Sequence, residues 1–288
     1  MQHLFLHVPK TAGSSIRTLL KQNYAEDAMI AFSGDVEPLA WYRRAPSEFR
    51  AKHALVHGHF QYGLHDGVRE YTYFTFLRDP VDRHFSDYHF PKRYEPHPLH
   101  ARLASGEIGI ADWADIFERH PVYRNITTGY ISGDGAEGPS DRRSLERAKF
   151  HLLRDFTFTG LTERFDESVL ILARRLGWRS VFYLTRNVSR DRMVPEHLRD
   201  LARAHLALDC ELHEFARREF EAAPELRDPL FAEALAEYRA VHEWLEGQVT
   251  NDRSSLFQVN FDLPSLDTLV RRHHALPSLT RFLEPIAG

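Results

Sequence analysis

The sequence holds one cysteine in 288 residues, at position 210. A lone thiol excludes an intrachain disulfide framework and a cysteine-based zinc site. In its helical surroundings Cys210 is expected to pack as a small apolar side chain. Long apolar runs are also missing: none reaches the roughly 18 residues of a membrane span. The apolar stretch in "MQHLFLHVPK" has neither the length nor the basic flank of a secretion signal. Both absences point to a cytoplasmic protein without a membrane span. Nor is there excess positive charge. Against 41 acidic residues stand 37 lysines and arginines, a net charge of −4, which argues against a nucleic-acid coat but permits a local basic pocket. What remains, 43% hydrophobic and 27% charged, is the composition of a globular protein long enough for a full core.

Hydrophobic patterning alternates strands with helices. Residues 3–8 read as a buried strand and 14–24 as a helix. "HALVHGHF" (53–60) centres on another short strand. "YTYFTFLRDP" (71–80) is the clearest, aromatic and β-branched and ended by Asp-Pro. Asp79 is placed to cap the next helix, with Pro80 at its first position, and Val81, Phe85 and Tyr88 fall on one helical face. "FTFTGL" (156–161) and "SVFYLTRN" (180–187) read as further strands. Helices are expected over 164–178, closed by Gly177, over 195–220 with Leu198, Leu201, Leu208, Leu212 and Phe215 on a stripe, and over 229–247. "SGDGAEGPSD" (132–141) reads as a loop. The alternation predicts an α/β fold of βαβ units with a mostly parallel central sheet flanked by helices. The expected organisation is a single domain, with a core of about 3–220 and a helical C-terminal extension over 221–288.

Within that frame "FLHVPKTAGSSIRTLL" (5–20) concentrates chemistry at a strand-to-helix turn. Amides of such a turn point at an anion, and the helix dipole favours it. Lys10 supplies a point charge, and Thr11, Ser14 and Ser15 supply hydroxyls. Gly13 lets the backbone approach a ligand. By itself the segment also reads as a plain turn with serine caps and a solvated lysine. A triphosphate loop of the G-x-x-x-x-G-K-[ST] type places its lysine after the glycines. Here Lys10 precedes Gly13, no glycine stands upstream, and Asp79 reads as a helix cap. The turn therefore suits one phosphate or a phosphosulfate without a metal.

Together "HVPKTAGSSI" (7–16) and "FTFLRDPVDRHFSDYHF" (74–90) resemble the paired signatures of sulfotransferases that use 3′-phosphoadenosine 5′-phosphosulfate (PAPS). The nearest resemblance is to Golgi-type glycan sulfotransferases and their soluble bacterial relatives. "FTFTGLTERFDESVLILARRLGW" (156–178) and "LDCELHEFARREF" (208–220) resemble later segments of the family, so the likeness spans about 3–220. It implies a P-loop kinase-like core, with PAPS as co-substrate and no metal. It makes Lys10, Thr11, Ala12, Gly13, Ser14 and Ser15 the 5′-phosphosulfate loop, and Arg78 and Ser86 the 3′-phosphate site. An arginine at a strand end can clamp a phosphate bidentately. Arg83 is a further basic candidate, equally readable as a solvated arginine on a helix face.

"VHGHF" (56–60) sets His57 and His59 two apart, which alone reads equally as two hydrogen-bonded histidines beside a core strand. A similar His-Gly-His segment in heparan sulfate 2-O-sulfotransferase has its second histidine as general base. Carried across, His59 is the base and His57 its neighbour, and neutral imidazole suits the task near pH 7. Asp66, His65 and Glu70 in the following loop stay as alternatives, Glu70 because some related sulfotransferases use a glutamate. Lys92, Arg93, His97, His100, Arg124 and Asn125 are available to line an acceptor cleft, and His57, Glu70 and Arg93 are the side chains assigned to the acceptor. The reaction implied is in-line transfer of a sulfuryl group to a hydroxyl acceptor, a glycan or glycoconjugate, with Lys10 on the bridging oxygen. The rivals are a kinase-like phosphotransferase and a non-catalytic nucleotide-binding protein.

Overall fold

The computed structural model describes residues 1–135, 138–183, 193–250, 266–268, 270–271 and 274–284. Its centre is a five-stranded sheet of β1 (Gln2–Leu6), β2 (Met29–Phe32), β3 (Leu55–Gly58), β4 (Tyr71–Leu77) and β5 (Phe156–Leu161). The order is β2-β3-β1-β4-β5 and every pairing is parallel. The short apolar runs belong here because both faces are covered: Leu4, Leu6, Leu55, Val56, Phe74, Phe76 and Leu77 are fully buried. Parallel pairing brings all strand C-termini to one edge. β1 lies between β3 and β4, where the chain order reverses, and such a switch point is where sheets of this type bind ligands.

The flanking helices are α1 (Gly13–Asn23), α2 (Val36–Arg44), α3 (Pro80–His89), α4 (Ile126–Ser132), α5 (Arg142–Arg154), α6 (Phe165–Leu176), α7 (Glu196–His205), α8 (Ala207–Glu221) and α9 (Phe231–Thr250). α3 starts as its sequence dictates: the Asp79 side chain accepts from the Asp82 amide at 2.9 Å ahead of Pro80. Val81 and Phe85 pack with Phe117, Leu198, Ala202 and Leu206. His84 is clamped from both sides, its Nε2–H donating to the Trp113 carbonyl at 3.0 Å while the Trp113 indole donates to the His84 carbonyl at 3.1 Å. Burial, then the neighbouring Arg83, pushes the His84 imidazole down to about 3, so it packs uncharged.

Buried Asp209 and Asn125 hold the N-termini of α4 and α8 reciprocally. Asp209 accepts from the amides of Thr127 (3.1 Å) and Thr128 (2.8 Å), and Asn125 Oδ1 accepts from those of Leu208 (3.1 Å) and Asp209 (3.0 Å).

Several expectations change. Residues 180–183 of the expected strand 180–187 form no ladder, and 184–187 lie outside the described residues. Side chains take the place of a neighbouring strand. Asn23 Oδ1 accepts from the amides of Arg179 and Ser180, Gln22 donates to the Phe182 carbonyl, and Tyr238 donates to that of Val181. The helix expected over 195–220 is two, broken at Leu206, and Leu201 is exposed. β2 and α2 carry too weak a periodicity to have been read. Phe231, Tyr238, Val241 and Phe282 of the C-terminal part join the same core cluster as the sheet. Residues 136–137 of the expected 132–141 loop lie outside the described residues. Cys210 is half-buried against the α3–α7 cluster, and burial pushes its thiol up to about 11. Among the described residues no helix is long and apolar enough to cross a membrane.

Candidate active site

The turn after β1 has a backbone shaped for an anion. Lys10 and Ala12 take positive φ angles, 71° and 62°, while Thr11 and Gly13 do not. Alternating handedness turns successive N–H groups to one side, the geometry of an anion nest. Two non-glycine residues held this way cost about 1–2 kcal/mol each, a strain typical of ligand-binding turns. Among the described residues the amides of Thr11, Ala12, Gly13 and Ser14 donate to no other group, whereas Ser15 and Ile16 both donate to the Ala12 carbonyl, at 3.1 and 3.2 Å. The Ser15 amide is thus engaged in the first turn of α1 and is not part of the nest. Thr11 also departs from expectation: it is fully buried and its hydroxyl donates to the Val8 carbonyl at 2.8 Å. It pins the loop from beneath. Ser14 is exposed.

Packing within the protein also requires a glycine at position 13. A Cβ there would stand 1.9 Å from Cε1 of His7, whose ring occupies that space. Gly13→Ala should therefore destabilise the fold by about 1–3 kcal/mol through overpacking. In a His7→Ala background the same change should stabilise it by up to ~1 kcal/mol, the helical preference of alanine over glycine. Denaturant unfolding of the four proteins checks the change of sign.

His7 and the His-Gly-His segment meet across the β1–β3 pairing, where Phe5 faces His57 and Leu6 faces Gly58. Gly58, at φ 130°, lets the chain leave the strand; a Cβ there would lie 2.0 Å from the Phe32 carbonyl oxygen. The bend carries His59 onto His7, ring centroids 4.4 Å apart, and His7 stacks on Phe5 at 5.4 Å. His59 Nδ1–H donates to the His7 carbonyl at 2.9 Å. In a neutral ring this leaves Nε2 as the basic nitrogen.

Burial lowers the His59 pKa, opposed by its bond to the His7 backbone; Arg17 and Lys10 lower it further and Asp87 raises it, for a net fall. Burial with Arg17 and Lys21 brings His57 to about 4, and burial with the surrounding His59, Arg17, His57 and Lys10 takes His7 well below its ordinary value. Each of these shifts favours the uncharged ring.

Arg78 follows the last residue of β4. It is half-buried, with no hydrogen-bond or ion-pair partner among the described residues. Ser86 is also half-buried, on the second turn of α3. Arg83 is not a solvated arginine on an open helix face: it is fully buried and its Nη1 pairs with Asp87 at 3.1 Å, while Nε and Nη2 have no partner among the described residues. The ammonium of Lys10 rests 4.1 Å from the centre of the Phe90 ring, which ties the nest to the end of α3.

The sequence model of the galactose-3-O-sulfotransferase family matches residues 3–256. The chain belongs to that family. This galactose-3-O-sulfotransferase family member is accordingly a sulfotransferase acting on carbohydrate. The match runs past the motif likeness that ends near 220 and takes in the whole of α9. No protein of curated description matches the chain.

Beside the nest the sulfotransferase has a cleft of about 380 Å³, lined by Pro9, Gln61, Asp87, Phe90, His97, Trp113, Tyr123, Arg124, Asn125 and Tyr130. His97, Arg124 and Asn125 were expected there. Lys92 instead reaches the Tyr88 hydroxyl at 3.4 Å, and His100 the Pro91 carbonyl at 2.8 Å. The side chain of Arg93 lies outside the described residues.

Glu70 is a correction. Its carbonyl accepts from the Gln2 amide at 2.9 Å and its exposed carboxylate lies 3.9 Å from the N-terminal amine, at the start of β1. The four steps of β1 at about 3.3 Å each put that edge roughly 13 Å from the strand's C-terminal end. His65, stacked on Tyr71 at the start of β4, and Asp66 beside it share the wrong edge. None of the three can serve a site at His59.

His7, Asp87, Phe90, Trp113, Tyr123 and Tyr130 escaped the reading of the sequence. Arg83, Ser86, Asp87 and Phe90 do have a signal, since spacings of 3, 4 and 7 place them on one helical face. The other aromatic residues reach the cleft from separate segments, and nothing local marks them.

Proposed function

We propose that the enzyme transfers the sulfuryl group of PAPS to the 3-hydroxyl of a galactose residue, with His59 as general base. The observation that carries this reading is the His59 ring, tied through Nδ1 to the backbone entering the nest, a bond that leaves Nε2 as the proton acceptor of a neutral ring. The amides of Thr11 to Ser14 suit the oxygens of the phosphosulfate, and the guanidinium of Arg78, unengaged among the described residues, suits the 3′-phosphate. His59 Nε2 accepts the proton as the acceptor oxygen forms its bond to sulfur. Lys10 leaves Phe90 to meet the charge that builds on the bridging oxygen as the sulfur–oxygen bond to the phosphate breaks. The products are the sulfated sugar and adenosine 3′,5′-bisphosphate. Positioning and electrostatics carry the rate, as in phosphoryl transfer. Aromatic walls with a few convergent polar groups suit a sugar ring in the cleft.

Sulfur-35-labelled PAPS with methyl β-galactoside should yield a labelled 3-sulfate without added magnesium. Phosphoryl transfer from Mg-ATP with no labelled sugar would favour the kinase-like rival.

Arg78→Ala should weaken adenosine 3′,5′-bisphosphate binding by about 2–4 kcal/mol, as for loss of a charge-assisted pair. Adenosine 5′-phosphate should hardly respond. Equal losses for both nucleotides in calorimetry would remove Arg78 from the 3′-phosphate.

A further inference from the structure

We infer that Asp87 orients the acceptor sugar, its carboxylate accepting a hydrogen bond from a hydroxyl adjacent to the one that is sulfated. This role rests on the reaction proposed above. Asp87 lines the cleft together with Pro9, the residue that leads into the nest. Its side chain is 27% exposed, so the carboxylate is open on one side.

The other side is fixed by an unusual partner. Arg83, one turn earlier on α3, is fully buried, and its Nη1 bonds Oδ2 of Asp87 at 3.1 Å. Arg83 Nε and Nη2 have no partner among the described residues, so Asp87 is the counter-charge of a buried cation there. The pair immobilises one carboxylate oxygen. Among the described residues nothing donates to the other, Oδ1. A carboxylate held this way accepts strongly from a neutral hydroxyl.

Electrostatics decide which substrate it meets. The sulfuryl donor is anionic at both ends of its adenosine, and a carboxylate repels it. The amides and the guanidinium proposed for it lie in the loop after β1 and at Arg78. The acceptor is neutral and rich in hydroxyls, and Asp87 stands on the wall given to it, with Phe90, Trp113 and Tyr130 close by in the same cleft. Phe90, three residues further along in the same cleft, carries the Lys10 ammonium 4.1 Å from its ring centre, so the wall that holds Asp87 adjoins the nest. A sugar seated in this cleft beside the nest presents its ring hydroxyls to Asp87.

The test pairs a change in the enzyme with a change in the sugar. Methyl β-galactoside is compared with its 2-deoxy and 4-deoxy analogues in the wild-type enzyme and in Asp87→Asn. In the wild type one analogue should lose about 10- to 100-fold in kcat/KM, as when a site built to bond a hydroxyl finds none. In Asp87→Asn the intact galactoside should fall by a similar factor, and the penalty for the missing hydroxyl should shrink to about twofold. Binding of adenosine 3′,5′-bisphosphate should not change. A deoxy penalty that survives in full in the variant shows that Asp87 only pairs with Arg83 and overturns the role. Should the asparagine variant fail to fold, Asp87→Glu keeps the ion pair and displaces the carboxylate by one methylene. It should fold, bind the nucleotide and raise the KM for galactoside by about 10-fold; unchanged acceptor kinetics overturn the role again. A wild-type enzyme that sulfates no galactoside removes the proposed reaction and this role together.

Discussion

Replacing His59 by asparagine should cut sugar-dependent transfer by about 10²–10⁴-fold, the usual contribution of a positioned general base. Asparagine is the informative choice because its amide can still donate to the His7 carbonyl, as Nδ1 does at 2.9 Å. It lacks the basic nitrogen at the far side of the ring, along with the ring face that stacks on His7. The fold and the affinity for adenosine 3′,5′-bisphosphate should therefore persist. The pH profile provides a second readout. Burial and the nearby cations hold His59 below its ordinary value of 6.5. The base is active when neutral, so kcat/KM should rise with pH along an acid limb centred below 6.5 and level off above it. That limb should be absent from the residual activity of His59→Asn. His57→Ala should cost far less, because His57 lies within β3, whereas His59 lies beyond its bend. A fully active asparagine variant would return the search for a base to the cleft, since Glu70, His65 and Asp66 lie at the opposite edge of the sheet.

Lys10→Ala should lower kcat by about 10²-fold or more, because its ammonium stabilises charge present chiefly in the transition state. Lys10 already holds a positive φ of 71°, and alanine accepts that conformation about as well as lysine does. The nest should survive, and product-nucleotide binding should fall much less than kcat. The contact of Lys10 with Phe90, 4.1 Å to the ring centre, amounts to about 0.5–1 kcal/mol at an exposed site. That is small enough to exchange for a phosphosulfate oxygen. Should kcat hold while the KM for PAPS rises, Lys10 would be an anchor of the ground state and not a catalytic group. Single-turnover measurements at saturating donor separate the two cases.

By itself the sequence determined what depends on neighbours along the chain. The apolar runs of β1, β3, β4 and β5 marked strands buried on both faces, and Asp79-Pro80 marked the start of α3. The order of Lys10 and Gly13 set this turn apart from the G-x-x-x-x-G-K-[ST] pattern, and two spaced motifs resembled those of sulfotransferases. Residues 180–183 show where the local signal ends: an apolar run does not tell whether its backbone will find another strand or the side chains of Gln22, Asn23 and Tyr238.

Tertiary structure decided everything that depends on which ends of the strands coincide. Glu70 and His59 are both near strand ends in the sequence, and only the parallel register puts one at each edge of the sheet. The same register stacks His7 on His59, which gives Gly13 its purpose and His59 its tautomer. Arg83 was equally readable as a solvated arginine on a helix face, and packing buries it against Asp87. Register, burial and side-chain pairing are set by contacts between residues far apart in sequence, and a chain read one segment at a time carries no record of them.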